Sequence, residues 1–404
     1  MSRDIALDTV RPEQITIPRG HVLSRLPWIG ASIGAVGLVL SLALRAGDPK
    51  QFAFSWLVAF LFFLSLALGA LYFVLIHFAT QAGWGVVVRR LAENTMGTLP
   101  LFALLFVPVL LGMAELFPWA HGSSGEHDHL LQLKEPYLNT RFFVIRAIVY
   151  FAVWSTIALF YVRRSRAQDA TREAAISIVL RRFSGPAIIG LALTQTFAAV
   201  DWIMSLDPTW YSTIFGVYWF AGSFVSFFAL LTLIVVALRR AGLMTEIVGL
   251  EHFHDLGKLL FAFTVFWAYI GFSQYFLIWY GNIPEETTFF RHRVVGSWSA
   301  VSLLLAAGHF VIPFFFFMPR TIKRKPALLA AGASWMLAMH LVDVYWLVMP
   351  VLHPEGFAIS LLDVVAFLAV GGLFVGGLSW MMRGSPLVPV GDPRLPESLS
   401  FENI

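Results

Sequence analysis

The chain has 404 residues, of which 58% are hydrophobic and 13% charged, and its mean hydropathy is +0.75; a soluble core of this length needs far less apolar sequence, so it reads as an integral membrane protein. A net charge of +4 would suit nucleic acid in a soluble protein, but the basic residues lie between apolar runs, where they report orientation in the bilayer and imply no nucleic-acid partner. The chain has no cysteine, which excludes thiolate-held iron–sulfur clusters, covalently attached haem c and disulfides, leaving quinone or histidine-ligated haem as the only redox groups it could hold.

A spanning helix needs roughly 20 mostly apolar residues. Ten segments meet that length: 28–44, 52–78, 97–118, 141–162, 185–206, 211–238, 257–281, 293–318, 327–350 and 359–382. No cleavable signal is expected ahead of the first, because a polar arm of mixed charge (residues 1–27) precedes it. Gly30 and Gly34 in the first span, and Gly372 and Gly376 in the tenth, are small residues at the spacing that lets helices approach closely. The expected architecture is therefore an all-α membrane protein: a cytoplasmic arm (1–27), a ten-helix domain (28–382) and an extended cytoplasmic tail (383–404) rich in proline.

Ten spans place both termini on one side. Of the 28 basic residues, 21 fall on that side, against six on the other (Arg45, Lys50, Lys134, Arg141, Arg291 and Arg293), while Arg146 lies within a span. The bias predicts cytoplasmic termini.

Ionisable groups inside spans cost about 2.5 to 3.5 kcal/mol each on insertion scales, so each is a candidate for function. In the predicted orientation His77, Lys258 and the cluster Glu251, His252, His254 and Asp255 sit at the inner face. His309 lies in the inner half of the eighth span and His340 near the midplane. Asp343 is about 4.5 Å further out, and Asp363, Asp201 and Glu115 lie near the outer ends of the tenth, fifth and third spans. Groups at every depth admit a proton path through His252, Asp255, Lys258, His309, His340, Asp343, Asp363, Asp201 and Glu115, for which histidine, with an ordinary pKa near 6.5, is suited. The i, i+3 spacing of His340 and Asp343 allows them to pair. The plainer reading makes Asp255 the N-cap of the seventh helix, Asp201 and Asp363 caps or backbone partners, and His77 a headgroup contact.

The outer loop HGSSGEHDHL carries His121, Glu126, His127, Asp128 and His129, a spacing compatible with a metal, although contact with a partner is the preferred expectation and no metal is assigned. Haem b would need two histidines at matched depth on facing helices, and His77, His309 and His340 supply no matched pair. Gln274 and Tyr275 in mid-span suit a polar cavity; with Asp201 and Asp363 they are the candidates for a quinone site.

Three stretches, DWIMSLDPTWYSTIFGVYWFAGSF, HDLGKLLFAFTVFWAYIGFSQYFLIWYGNIPEET and WMLAMHLVDVYWLVMP, closely resemble the F-subunit family of bacterial alternative complex III, a quinol:cytochrome c (or other carrier) oxidoreductase of respiratory or photosynthetic chains. KEPYLNTRFFVIR fits the same family, and the resemblance spans about residues 20–382. It implies a fold similar to the NrfD and polysulfide reductase membrane anchors, with two four-helix bundles. It implies a place in a bacterial inner membrane and, as partners, a sister ten-helix membrane subunit, a periplasmic iron–sulfur subunit and multihaem cytochrome c subunits, with a terminal oxidase as a further candidate and membrane lipids around this chain. Haem c and iron–sulfur clusters would then reside in those partners, and this chain would hold none, with quinone left open. In that family quinol oxidation is placed at the sister subunit, so this chain is expected to be an accessory subunit with no catalytic residue of its own. Its intramembrane polar positions fall on Asp201, His309, His340, Asp343 and Asp363, with His252 and Asp255 at the inner mouth.

The expectation that follows is a proton path coupled to quinol oxidation in a partner, with quinone binding here, or a scaffold for the partners, as alternatives. A scaffold gains little from buried acids, since interhelical polar contacts average only about 0.6 kcal/mol. A secondary transporter would show paired broken helices, which are not evident.

Overall fold

The computed structural model describes residues 11–121 and 128–403. It is 79% helical, with no strand among the described residues, and ten of its helices are long and apolar enough to cross a membrane. These are α1 (Leu26–Arg45), α2 (Pro49–Ala79), α3 (Val86–Leu111), α4 (Thr140–Thr171), α5 (Ala174–Trp202), α6 (Phe215–Arg240), α7 (Leu250–Gly281), α8 (Trp298–Phe317), α9 (Pro326–Val348) and α10 (Leu361–Met382). The chain is an all-α, multi-pass membrane protein.

Helices α2 to α5 pack as one four-helix group and α6 to α9 as a second, with α2 and α6 in contact between them and the α1–α10 pair set against α2. Helix α2 is apolar on every side, and it is buried on nearly every side, as such a helix must be. The small residues explain the α1–α10 pair: a Cβ on Gly30 would lie 2.6 Å from the backbone nitrogen of Gly376 and 2.8 Å from the carbonyl of Gly372. Only glycine permits the two backbones to come this close.

Several helices begin earlier or run longer than hydropathy alone predicts. The span expected at 97 starts at Val86, and its first turns carry Arg89, Arg90 and Glu93, all buried. Glu93 bonds both arginines, at 3.0 and 2.8 Å; Arg89 also reaches Asp392 at 2.6 Å and Arg90 reaches Asp169 at 2.7 Å. Mutual neutralisation lets a charged stretch enter the helix interior. Further along, α3 breaks into short segments that restart at Pro100 and Pro108, because proline lacks the donor that would continue the ladder.

The tail packs onto the rest of the chain. Leu387, Val388 and Leu395 are buried, residues Leu395–Leu399 form a helical turn, and Leu387 N–H donates to Ile15 O at 2.6 Å. The N-terminal arm thus sits under the tail, and both described ends lie on one face, here termed the terminal face.

Two cations close helix ends. Arg293, buried on the connection after α7, donates to the carbonyls of Trp346 and Leu347 at the end of α9, at 3.0 and 2.8 Å. Lys323 donates to those of Phe317 and Met318 after α8, at 2.6 and 2.9 Å. Both satisfy carbonyls that a helix leaves unpaired. Burial lowers the Lys323 pKa, and Lys258 nearby acts in the same direction.

Candidate functional site

The centre of the second bundle is built around α9. His340 and Asp343 share one face of it, directed at Gly222 of α6: a Cβ there would lie 3.2 Å from the His340 ring and 3.8 Å from Asp343 Oδ2. The two side chains do not bond to each other, contrary to the expected pairing. His340 Nε2 lies 2.8 Å from Ser65 Oγ of α2, and Ser65 gives its own proton to Phe62 O at 2.6 Å. His340 therefore donates from Nε2, and its Nδ1 is a bare acceptor with no protein partner. Asp343 instead accepts from the Tyr218 hydroxyl of α6 at one oxygen and from the Trp267 indole of α7, at 3.1 Å, at the other.

His309 joins this group through Trp267, whose ring lies against the imidazole at a tilt of 31° with centroids 3.8 Å apart. The backbone explains its presentation. Residues Leu305–Val311 are wound as a π-helix, and Pro313 follows four residues after His309, where its ring would clash with the His309 carbonyl in a regular helix. The widened turn moves the Ile312 N–H onto Ala307 O, and the freed Gly308 carbonyl accepts from the Trp335 indole at 2.7 Å. Such π-turns concentrate at functional sites. His309 is fully buried, and neither ring nitrogen has a protein partner.

Two clefts flank this centre. The larger, about 660 Å³, lies between α7 and α8; Tyr218 and Trp267 form its inner wall, Gln274, Tyr275 and Phe310 its sides. Its rim at Phe272 and Leu303 is exposed on the apolar surface. The smaller, about 290 Å³, lies between α2, α9 and α10 and is lined by Ser55, Tyr345, Asp363 and Phe367. Of the four quinone candidates, Gln274 and Tyr275 thus line the larger cleft and Asp363 the smaller, while Asp201 lines neither.

Asp201 is held in a clamp. Arg146 meets it with two parallel bonds, 2.8 and 2.9 Å long, Tyr150 donates at 2.7 Å, and the guanidinium lies 3.8 Å from the Tyr137 ring. Lys134, beyond the helices on the same side, donates to Pro208 O at 2.5 Å; burial lowers its pKa, opposed by Asp207. Asp363 caps α10, accepting from Ser360 N–H at 2.8 Å, and also accepts from Ser55 at 2.5 Å, Gln51 at 3.1 Å and Tyr345 at 3.2 Å. Gln51 extends this network to His353 at 2.8 Å.

At the terminal face the cap of α7 differs from expectation: Gly249 is the N-cap and His252 Nδ1 accepts its N–H at 3.0 Å, so Asp255 lies one turn inside. His252 then donates from Nε2 to Ser398 O of the tail at 3.0 Å. Asp255 pairs with Lys258, and Glu251 with Arg324 at 2.6 Å. His77, expected at the headgroups, is buried. Glu115 lies half-buried on the turn Met113–Leu116. Residues 122–127 lie outside the described residues, so Glu126 and His127 of the outer-loop cluster are not placed.

The structure therefore brings His309, His340 and Asp343 into one buried group and leaves Asp201, Asp363 and the His252–Asp255–Lys258 cluster in three separate networks. Along α7, Asp255 and Trp267 are about 18 Å apart at 1.5 Å per residue. Ser65, Tyr218, Trp267 and Arg146 complete these networks without having been singled out for a role; Pro313, four residues past a mid-span histidine, is the signal that marks the π-turn. Comparison of the chain with known protein families gives no match, and comparison with curated proteins gives none.

Proposed function

We propose that the chain is the membrane subunit of a quinol:electron-acceptor oxidoreductase of the alternative complex III type, and that the group around Asp343 carries protons across the middle of the membrane. The supporting observation is a contrast in counter-ions: Asp343 is 2% exposed, among spanning helices, and its two hydrogen-bond donors, Tyr218 and Trp267, are both uncharged. A fixed negative charge in hydrocarbon without a cation is costly, so proton exchange is the chemistry this position suits. The unpartnered nitrogens of His309 and His340 are acceptors and donors for water within the same buried group. Quinol oxidation, haem c and iron–sulfur clusters belong in this reading to partner subunits, and the terminal face is cytoplasmic.

The test is Asp343→Asn in the assembled complex reconstituted into proteoliposomes. Quinol oxidation should persist while protons released per electron fall; an unchanged ratio in both Asp343→Asn and His340→Phe contradicts the reading.

The cleft between α7 and α8 favours a second reading, in which this chain binds quinone itself. A ring entering from the rim at Phe272 would meet Gln274, Tyr218 and Trp267 at the polar end of an otherwise apolar cavity, the usual composition of a small-molecule site. A photoreactive quinone analogue should label α7 near Tyr275; labelling confined to other subunits contradicts this second reading and leaves the first standing.

A further inference from the structure

A separate cavity of about 190 Å³ opens at the terminal face between the end of α2, the start of α3, the start of α5 and the tail. It is lined by three arginines, Arg89, Arg181 and Arg394, with one carboxylate, Asp392, already bonded to Arg89. Among the described residues Arg181 has no acidic partner, and the Arg394 guanidinium bonds only the neutral amide of Gln81, at 3.1 Å, while its backbone N–H donates to Asp392 Oδ1 at 2.8 Å. Two guanidinium charges are therefore uncompensated at the cavity. His77 lines the same space, is 4% exposed, and its Nε2 has no partner. Ala174 and Ser177 bring in the first turn of the 29-residue helix α5, whose N-cap, Glu173, supplies no side-chain bond to the free N–H groups. Beside Arg181 the exposed Ile178 begins the apolar flank of α5.

We propose that this cavity binds a phosphate group, carried either by an anionic phospholipid headgroup or by a free phosphate anion. Guanidinium groups match phosphate oxygens with paired bonds. The open helix start adds N–H groups and positive potential, and the unpartnered His77 Nε2 can accept from a hydroxyl of the ligand. The position suits a headgroup, because Arg181 sits at the boundary between the basic cavity and the surface that Ile178 turns to the hydrocarbon.

Native mass spectrometry of the full chain would count retained phosphatidylglycerol against diacylglycerol, which lacks the phosphate. The wild type should hold phosphatidylglycerol about tenfold tighter, the equivalent of one hydrogen bond to a charged group. Arg181→Gln with Arg394→Gln should abolish that preference, whereas Arg182→Gln, whose side chain does not line the cavity, should keep it. His77→Phe, which preserves the ring packing against Phe73, is a second variant that should weaken the preference without depending on the arginines. If inorganic phosphate raises the thermal stability of the wild type alone and no lipid preference exists, the source is the free anion. Equal retention of both lipids with no effect of phosphate, or a preference that survives in both the arginine and the His77 variants, overturns the proposal.

Discussion

Asp201 and Asp343 are both aspartates at 2% exposure or less within spanning helices, and their surroundings are opposite. Asp201 is met by the Arg146 guanidinium, itself stacked on an aromatic ring, so its charge is cancelled where it forms. Asp343 is met by a phenol and an indole, which hold the carboxyl group in place without cancelling its charge. The first arrangement ties α4 to α5 and is a structural part of the first bundle. The second fixes the orientation of the acid and supplies no counter-charge. A buried acid in a spanning helix is thus a candidate only until its counter-ion is identified.

The comparison can be broken most severely at Arg146. Arg146→Gln leaves Asp201 buried without a cation and should cost about 3–5 kcal/mol, read as loss of folded protein or a large fall in thermal unfolding temperature in detergent. Replacing both partners, Arg146→Leu with Asp201→Leu, should recover most of that loss, since an apolar pair has no charge to strand. If the single variant is as stable as the wild type, the clamp is not structural.

Helix contact is the next largest effect. Gly376→Leu places a side chain where α1 backbone lies and should destabilise by about 1–3 kcal/mol, whereas the same change at Gly281, where nothing crowds a Cβ, should be near neutral. At the central acid the expected stability effects are smaller: Tyr218→Phe removes one of two donors and should cost about 1 kcal/mol. Its effect on proton transfer should exceed its effect on unfolding, which distinguishes an acid held for exchange from one held for packing. The smallest effect belongs to Lys258→Gln, which breaks an ion pair whose lysine is 46% exposed and should change stability by less than about 1 kcal/mol.

Much of this organisation was present in the sequence in a form that could be read. The ten spans follow from hydrophobic length, and the four glycines mark faces open to close approach, although which helices meet there is known only from the packing. Boundaries failed where charge entered a helix: Arg89, Arg90 and Glu93 look like loop residues until Asp169 and Asp392, from distant parts of the chain, are seen to neutralise them. In the tail the prolines limit regular helix to one turn, while Leu387, Val388 and Leu395 give it an apolar side to bury. Polar residues within spans were visible individually, and their depths could be ordered. Their connections were not, because the partners of Asp343 and His340 come from α2, α6 and α7, up to 275 positions away. Depth along the membrane normal is written in local sequence; lateral adjacency is a property of packing.

The most direct test of the difference between the two aspartates is infrared difference spectroscopy of the isolated chain as pH is varied. A protonated-carboxyl band that changes with pH, is lost in Asp343→Asn and is kept in Asp201→Asn is the result predicted. A band that survives Asp343→Asn and disappears in Asp201→Asn would contradict the account, and so would the absence of any such band.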